Sequence, residues 1–431
     1  MTEHARTDAV DGTPTASDSG LARLDVRGRL DRMRATTWWA LLRHTVPVYV
    51  LSRLCVLAGA AVVAAELRVD ANLADEGGLP LADPHGAQNA GSAIRPILDV
   101  FASWDGLWYM DIVREGYPTE IVPDVTYFDD SARAAFFPLF PLLGRWFDRI
   151  VPGGDTLAVL VMNTILGLIA IVLFALIAHH LYGNRVARRT ATLAALFPGS
   201  FVLSFAYSEA LFLVLAAGCL LMLLYTEWTA AGVFAALATA TRPNGVALVA
   251  ACVVAAYFAI RERRDWHALI AVLLAPLGFI TFQVWLGQHT GEAGAWFRVQ
   301  REAWDEGASF GWTAVRNTLE AVVQPMTSPT DTITALSFVA TILLLVLAWK
   351  AKLPWVLTAY AWAIVALMLV PATVTARPRF LYTAFPLLIG AARWYEDRSD
   401  RDETIWPSTL AACGAGLAAL TGLYGVFGAI P

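Results

Sequence analysis

The chain is expected to be an all-α polytopic membrane protein, a bundle of about eleven transmembrane helices (10–12) with a helical first extracytoplasmic loop. Three observations predict this. Apolar runs near 20 residues long recur along the 431 residues. Charged residues make up only 16% of the composition, where soluble chains average about 25%. The Arg clusters fall on one side of the membrane when the runs are counted as crossings.

In chain order, residues 1–20 are polar and rich in Thr, Ala, Asp and Ser, which predicts a disordered tail. Residues 21–44 carry Arg23, Arg27, Arg29, Arg32, Arg34 and Arg43 and read as a basic cytoplasmic juxtamembrane segment. No cleavable signal peptide is visible, because the first apolar run begins near Thr45. Residues 45–430 read as one integral membrane domain, with spans at 45–66, 157–181, 189–206, 208–226, 229–241, 244–260, 266–287, 331–349, 353–371, 379–394 and 407–428. The pieces meeting at Pro243 are short and read as a hairpin that turns near the outer surface.

With the N-terminus inside, the other basic clusters also fall on the cytoplasmic side: Arg185, Arg188 and Arg189; Arg261, Arg263 and Arg264; Lys350 and Lys352; and Arg393 with Arg398 and Arg401. The first extracytoplasmic loop is then 67–135 and the second is 288–330. Residues 136–150 begin apolar but carry Arg145, Asp148 and Arg149, and read as an interfacial or re-entrant helix. Arg53, inside the first span, is expected to snorkel to the cytoplasmic headgroups. Lysine occurs only at 350 and 352, while Arg and Ala abound, a bias of GC-rich bacterial genomes; the location expected is a bacterial plasma membrane.

Cys55, Cys219, Cys252 and Cys413 lie in apolar runs without CxxC or His spacing, so neither a zinc site nor a disulfide framework is supported. The polar residues left over gather at the outer face, which predicts a site there. Phe101 to Tyr117, read as a helix, puts Trp104, Leu107, Trp108 and Ile112 on one side with Asp105 beside them. Asp111 lies about 240° around from Asp105, so the reading is one special acid rather than a carboxylate pair. From spacing alone a helix N-cap is the alternative reading of Asp105, and a helix start that of Ser208 and Glu209. Arg242, between two apolar runs, is either an interface anchor or a phosphate ligand. Arg377 and Arg379 form a second outer cationic cluster. Each Trp of the second loop, including Trp296, Trp304 and Trp312, is read first as an interface anchor.

WDGLWYMDIVREGY followed by AFFPLFPLL resembles the PIG-V-type mannosyltransferases, the GPI mannosyltransferase II-like family of the GT-C membrane glycosyltransferases. AYSEALF at 206–212, TRPNG at 241–245, VQREAW at 299–304 and RPRFL at 377–381 follow in family order, so the resemblance covers roughly residues 101–386. Where eukaryotic members have His after the WD motif, this chain has Trp108, and a bacterial member has no GPI anchor to build.

The resemblance implies an inverting enzyme that uses a polyprenyl-phosphate-linked mannose, with Asp105 as base. Arg242 and Arg379, with Arg377 in reserve, would stabilise the leaving lipid phosphate. Ser208 and Glu209 would orient donor or acceptor, and Trp104, Trp108, Tyr117, Phe137, Asn244, Gln300 and Trp304 complete the substrate-binding candidates. No cofactor is expected, and no metal, since one isolated acid is a poor divalent site. The expected partners are the lipid donor, membrane lipids and a glycan, lipid or protein acceptor, with no nucleic acid. A nucleotide-sugar donor would meet the enzyme on the cytoplasmic side, where the sequence has no matching acid or Gly-rich loop. The alternative is a transporter or flippase of a lipid-linked saccharide, which should show inverted repeats; none is convincing here.

Overall fold

The computed structural model describes residues 37–75, 94–324, 328–373, 375–398 and 404–430. The expected tail 1–20, most of the segment 21–44 and part of the first loop lie outside the described residues. The helices are α1 Thr37–Asp75, α2 Ile94–Phe101, α3 Asp105–Glu115, α4 Leu139–Asp148, α5 Asp155–Tyr182, α6 Asn184–Leu196, α7 Glu209–Leu224, α8 Trp228–Thr239 and α9 Ala247–Arg263. They continue as α10 Leu269–Leu274, α11 Leu277–Thr290, α12 Ala295–Ala303, α13 Trp312–Val323, α14 Pro329–Lys350, α15 Trp355–Leu369, α16 Pro378–Thr383, α17 Pro386–Glu396 and α18 Ile405–Gly425. Among the described residues the one β feature is an isolated bridge between Ala308 and Pro371.

The all-α polytopic class is borne out, and the chain is a multi-pass membrane protein. Among the described residues six helical stretches are long and apolar enough to cross a bilayer: Trp39–Glu66, Asp155–Tyr182, Pro243–Arg263, Trp266–Thr290, Pro329–Lys350 and Ile405–Gly425. α7, α8 and α15 are shorter apolar helices. Three of the expected spans are not single continuous α-helices. The run 189–206 leaves the α conformation at Leu196, because Pro198 has no N–H to give and restrains Phe197 to extended backbone. The run 379–394 is split between α16 and α17 ahead of Pro386. The run 266–287 breaks between α10 and α11 at Ala275 and Pro276.

The first break corrects the expectation for Arg53. Its guanidinium does not reach toward headgroups. Nη1 donates to the Ser200 carbonyl at 2.7 Å and to Ser204 Oγ at 3.0 Å. Nη2 donates to Ser200 Oγ at 2.9 Å and to the Ala195 carbonyl at 3.3 Å. One side chain thus satisfies carbonyls that the end of α6 frees, which lipid cannot do. The 3₁₀ turn Pro198–Leu203 that follows packs directly on α16. A methyl group at Gly199 would collide with the Pro378 carbonyl, so glycine permits the approach that places Arg377 and Arg379.

α5 defines two ends of the bundle. It rises about 42 Å over 28 residues, more than the hydrocarbon thickness of about 30 Å. At its start Asp155 is paired with Arg114 of α3. At its end Tyr182 stacks under Arg393, 5.4 Å from the ring centroid. Arg189 and Arg185 gather there around Glu396, at 2.7 and 3.6 Å. The end that carries α3 and α4 is therefore opposite the end that carries these arginines.

Candidate active site

The break between α2 and α3 sets the position of Asp105. The continuous helix expected over 101–117 is interrupted at Ala102–Trp104, and Trp104 takes φ 56°, a conformation uncommon outside glycine. Its indole N–H donates to the Tyr424 carbonyl at 2.9 Å, and its ring lies 5.1 Å from that of Phe427. Those contacts to the last helix hold the strained residue in place. Asp105 is then the first residue of α3 rather than its cap. Its Oδ2 accepts a hydrogen bond from Arg379 Nη1 at 2.6 Å.

A second irregular segment brings Ser208 and Glu209 to the same place. Ala206 N donates to the Phe101 carbonyl at 2.8 Å, tying this segment to the end of α2. The wholly buried Asn163 of α5 donates to the carbonyls of Phe205, at 2.5 Å, and Tyr207, at 2.8 Å. Ser208 makes no capping bond to the helix it precedes. Its Oγ instead shares a 2.7 Å hydrogen bond with Tyr109 and accepts from Arg242 Nη1 at 3.1 Å. Glu209 is fully buried and lies between two arginines, 2.7 Å from Arg242 and 3.9 Å from Arg379. A helix-start role alone, and an interface-anchor role for Arg242, do not account for this geometry: Arg242 is 7% exposed and paired.

Asp105, Arg379, Glu209 and Arg242 thus form one chain of alternating charges, 33 to 274 residues apart in sequence along its contacts. Rings enclose it: Phe380 lies 4.7 Å from the Arg379 guanidinium and 6.0 Å from that of Arg242, and Tyr207 lies 5.5 Å from Arg379. Tyr109 sits one helical turn after Asp105, and burial pushes its phenol well above the ordinary tyrosine range, so it is a neutral hydroxyl here.

The remaining candidates occupy different surroundings. Trp108 and Trp304 meet at 6.5 Å in an aromatic cluster with Tyr127 and Phe136, so Trp304 is packed inward rather than anchored in an interface. Phe137, 1% exposed, packs on Phe279, Phe282 and Trp296. Tyr117 donates to the Phe136 carbonyl at 2.7 Å and packs on Phe282 and Trp285. Neither is bonded to the charged chain. Asn244 lies in the 3₁₀ turn just after Arg242, and Gln300 is half-buried on α12; neither enters the ion-pair chain. Arg377 donates to the Ile430 carbonyl. Tyr109, Asn163, Tyr127, Phe136 and Phe380 were not singled out from sequence. Only Tyr109 carried a readable signal there, its i+4 spacing from Asp105.

The second loop crosses over this end. Arg298 of α12 holds Glu292 through two bonds of 2.7 Å, Glu302 at 3.0 Å, and the carbonyls of Ile121 and Val122 at 3.1 Å. Trp296 adds a bond to the Ala135 carbonyl at 3.0 Å. Past Trp304 the chain is fixed to the segment ahead of Arg377: Ser309 N and Phe310 N donate to the Val370 carbonyl, and Ala372 N donates to the Gly307 carbonyl. Arg298→Ala is expected to speed amide exchange of residues 292–304 roughly tenfold. Hydrogen bonds from Arg298 hold the Glu292 carboxyl below its ordinary range. A depressed carboxyl pKa stabilises above the unfolded value and is lost as pH falls through the folded one. The wild-type loop is therefore expected to loosen only below about pH 4.5. Equal exchange in wild type and variant at neutral pH would show that Arg298 does not hold this loop.

Comparison with known proteins bears on the chemistry. Residues 81–285, somewhat under half of the chain, match the family described as Mannosyltransferase (PIG-V). The PIG-V resemblance is borne out. It supports glycosyl transfer as the reaction class. Among curated proteins none matches the chain. Among solved structures, the chain is similar to ArnT from Cupriavidus metallidurans bound to undecaprenyl phosphate, at 15% identity and TM-score 0.45, over 74% of this chain and 63% of that one. It is also similar to the Archaeoglobus fulgidus oligosaccharyltransferase in complex with Zn and sulfate, at 16% identity and TM-score 0.47, over 87% of this chain and 53% of that one. The chain thus spans 53–63% of the length of these two structures.

Proposed function

We propose that this protein transfers a mannosyl residue from a polyprenyl-phosphate carrier to an acceptor hydroxyl, with inversion, at the extracytoplasmic face of the membrane. The observation that carries the reading is the buried chain Asp105–Arg379–Glu209–Arg242, which joins four motifs of the family pattern at one end of the bundle. The opposite end carries Arg185, Arg189 and Arg393, which the positive-inside rule assigns to the cytoplasm. Asp105, the most exposed of the four with 24% of its side chain accessible, is the one open to a substrate.

In this reading Asp105 accepts the proton of the acceptor hydroxyl as that oxygen bonds to the anomeric carbon. The bond from that carbon to the phosphate oxygen breaks, and the phosphate leaves with the bonding pair. Arginines already fixed in a low-dielectric pocket meet that charge without reorganising. The carbon is attacked from the side opposite the leaving group, so its configuration inverts. A lipid donor fits a site at the bundle end, since its chain can stay in the bilayer while the sugar enters. Each carboxylate of the site already has a guanidinium beside it, a setting that repels a divalent cation, so the reading requires no metal.

The test is transfer by purified protein from radiolabelled polyprenyl-phosphate mannose into a membrane lipid and protein extract. Label appearing in a product identifies the acceptor class; a folded protein that transfers none overturns the proposal and sends the work to other donor sugars and then to flippase assays. Arg242→Ala and Arg379→Ala are expected to raise the donor KM or lower kcat, together by at least tenfold in kcat/KM. Unchanged donor kinetics in both would place the phosphate elsewhere.

A further inference from the structure

The accessible edge of the site carries polar groups that the ion-pair chain does not use. Trp108 stands one turn beyond Asp105 on α3 and is 9% exposed. Its indole N–H has no hydrogen-bond partner, although the Tyr127 hydroxyl lies close by, outside bonding geometry. Tyr127 is part-exposed, and its ring stands edge-on to Trp108 at 5.4 Å and to Trp304 at 5.5 Å. Asp105 and Arg379 both lie within electrostatic reach of its hydroxyl. Burial raises that phenol above the ordinary tyrosine range, so at neutral pH it is an O–H that can donate and accept.

A fixed turn presents this residue. Asp129 N donates to the Thr126 carbonyl at 3.2 Å, and Asp129 Oδ2 accepts from Thr126 N and Oγ1, each at 2.7 Å. Tyr127 and Phe128 form the corner: Tyr127 turns in toward Trp108, and Phe128 turns out into the open. Just upstream, Arg298 ties the carbonyls of Ile121 and Val122 to the second loop. Residues 118–134 lie between the two leading sequence motifs, so neither motif pointed to Tyr127.

Resting on the glycosyl-transfer reading above, we propose that the Trp108 N–H and the Tyr127 hydroxyl hold the acceptor, gripping a second hydroxyl beside the one that Asp105 deprotonates. Trp108 donates to that second oxygen, and Tyr127 accepts its hydrogen bond. The first oxygen is then free to lose its proton to Asp105 and to attack. A buried donor without a partner is costly, and a substrate hydroxyl satisfies it. The acceptor that fits carries two hydroxyls on one rigid frame, as a sugar ring or a cyclitol does. A serine or threonine side chain offers one, and leaves both partners unmatched.

The experiment uses the full chain in nanodiscs, with methyl α-mannoside and myo-inositol as ring polyols and a serine peptide as the lone hydroxyl. Equilibrium binding is read without donor, and transfer from polyprenyl-phosphate mannose is read beside it. Wild type is expected to bind at least one ring polyol, and to bind the peptide at least tenfold more weakly. Tyr127→Phe removes one oxygen and keeps the ring contacts. It is expected to weaken polyol binding and raise the acceptor KM by about tenfold, with the donor KM and the melting temperature as in wild type. Trp108→Phe deletes the N–H and is expected to weaken polyol binding to a similar degree. If Tyr127 serves only to pack the aromatic cluster, Tyr127→Phe binds and transfers as wild type does, which overturns the proposal. A wild type that binds neither polyol, or binds the peptide as tightly, overturns it too. Binding needs no donor, so a wild type that binds polyol yet transfers no mannose would count against the catalytic reading and leave the acceptor grip in place.

Discussion

Asp105→Asn is expected to abolish sugar transfer, lowering kcat by about 10²–10⁴-fold, the usual contribution of a positioned general base. Asparagine preserves the shape and can still accept a hydrogen bond from Arg379, 2.6 Å away in the wild type, but it cannot take up the acceptor's proton. The helix is also expected to survive, since the irregular backbone before it is held by Trp104 on Tyr424 and not by the Asp105 side chain. The measurement is single-turnover transfer alongside the melting temperature of each protein. A variant that transfers within tenfold of wild type would remove Asp105 as base.

Glu209→Gln is expected to cost stability more than any other single substitution in the site. Glu209 is fully buried, and its loss leaves Arg242, 7% exposed, without a carboxylate. Removing one partner of a buried pair costs about 3–5 kcal/mol, because the remaining charge is uncompensated. The double variant Glu209→Gln with Arg242→Met removes both charges and should recover much of that loss. Thermal unfolding of the two single variants and the double gives the coupling. If Glu209→Gln melts with wild type, the pair is not a buried contact of the folded protein.

The class of fold was legible because lipid imposes it: apolar runs of span length have no other stable form. The order of the motifs was legible too, and with it the convergence of Asp105, Glu209, Arg242 and Arg379 on one end. What the sequence did not carry was pairing. Nothing near Asp105 signals that its partner is Arg379, 274 residues on. Arg53 illustrates the same limit. Local reasoning sends a lone Arg in an apolar run to the nearest headgroups, yet here carbonyls at Ala195 and Ser200 call it inward. Those carbonyls are free only because α6 ends early, and Pro198 was in plain view within a run whose hydropathy nonetheless read as unbroken. The kink at Trp104 was hidden for another reason: its φ of 56° is imposed by contacts with α18, which lies more than 300 residues away.

The second loop is fastened at its two ends by different means. On the α12 side the fastening is made by side chains, Arg298 and Trp296, which substitution can remove. Between Gly307 and Phe310 it is main-chain hydrogen bonding to residues 370–372, with the Ala308–Pro371 bridge. Main-chain bonds are indifferent to side-chain identity, so the stretch 307–310 is free to drift over evolutionary time without coming loose. Substitution at Ala308 is accordingly expected to leave the loop attached, whereas substitution at Arg298 releases its other end.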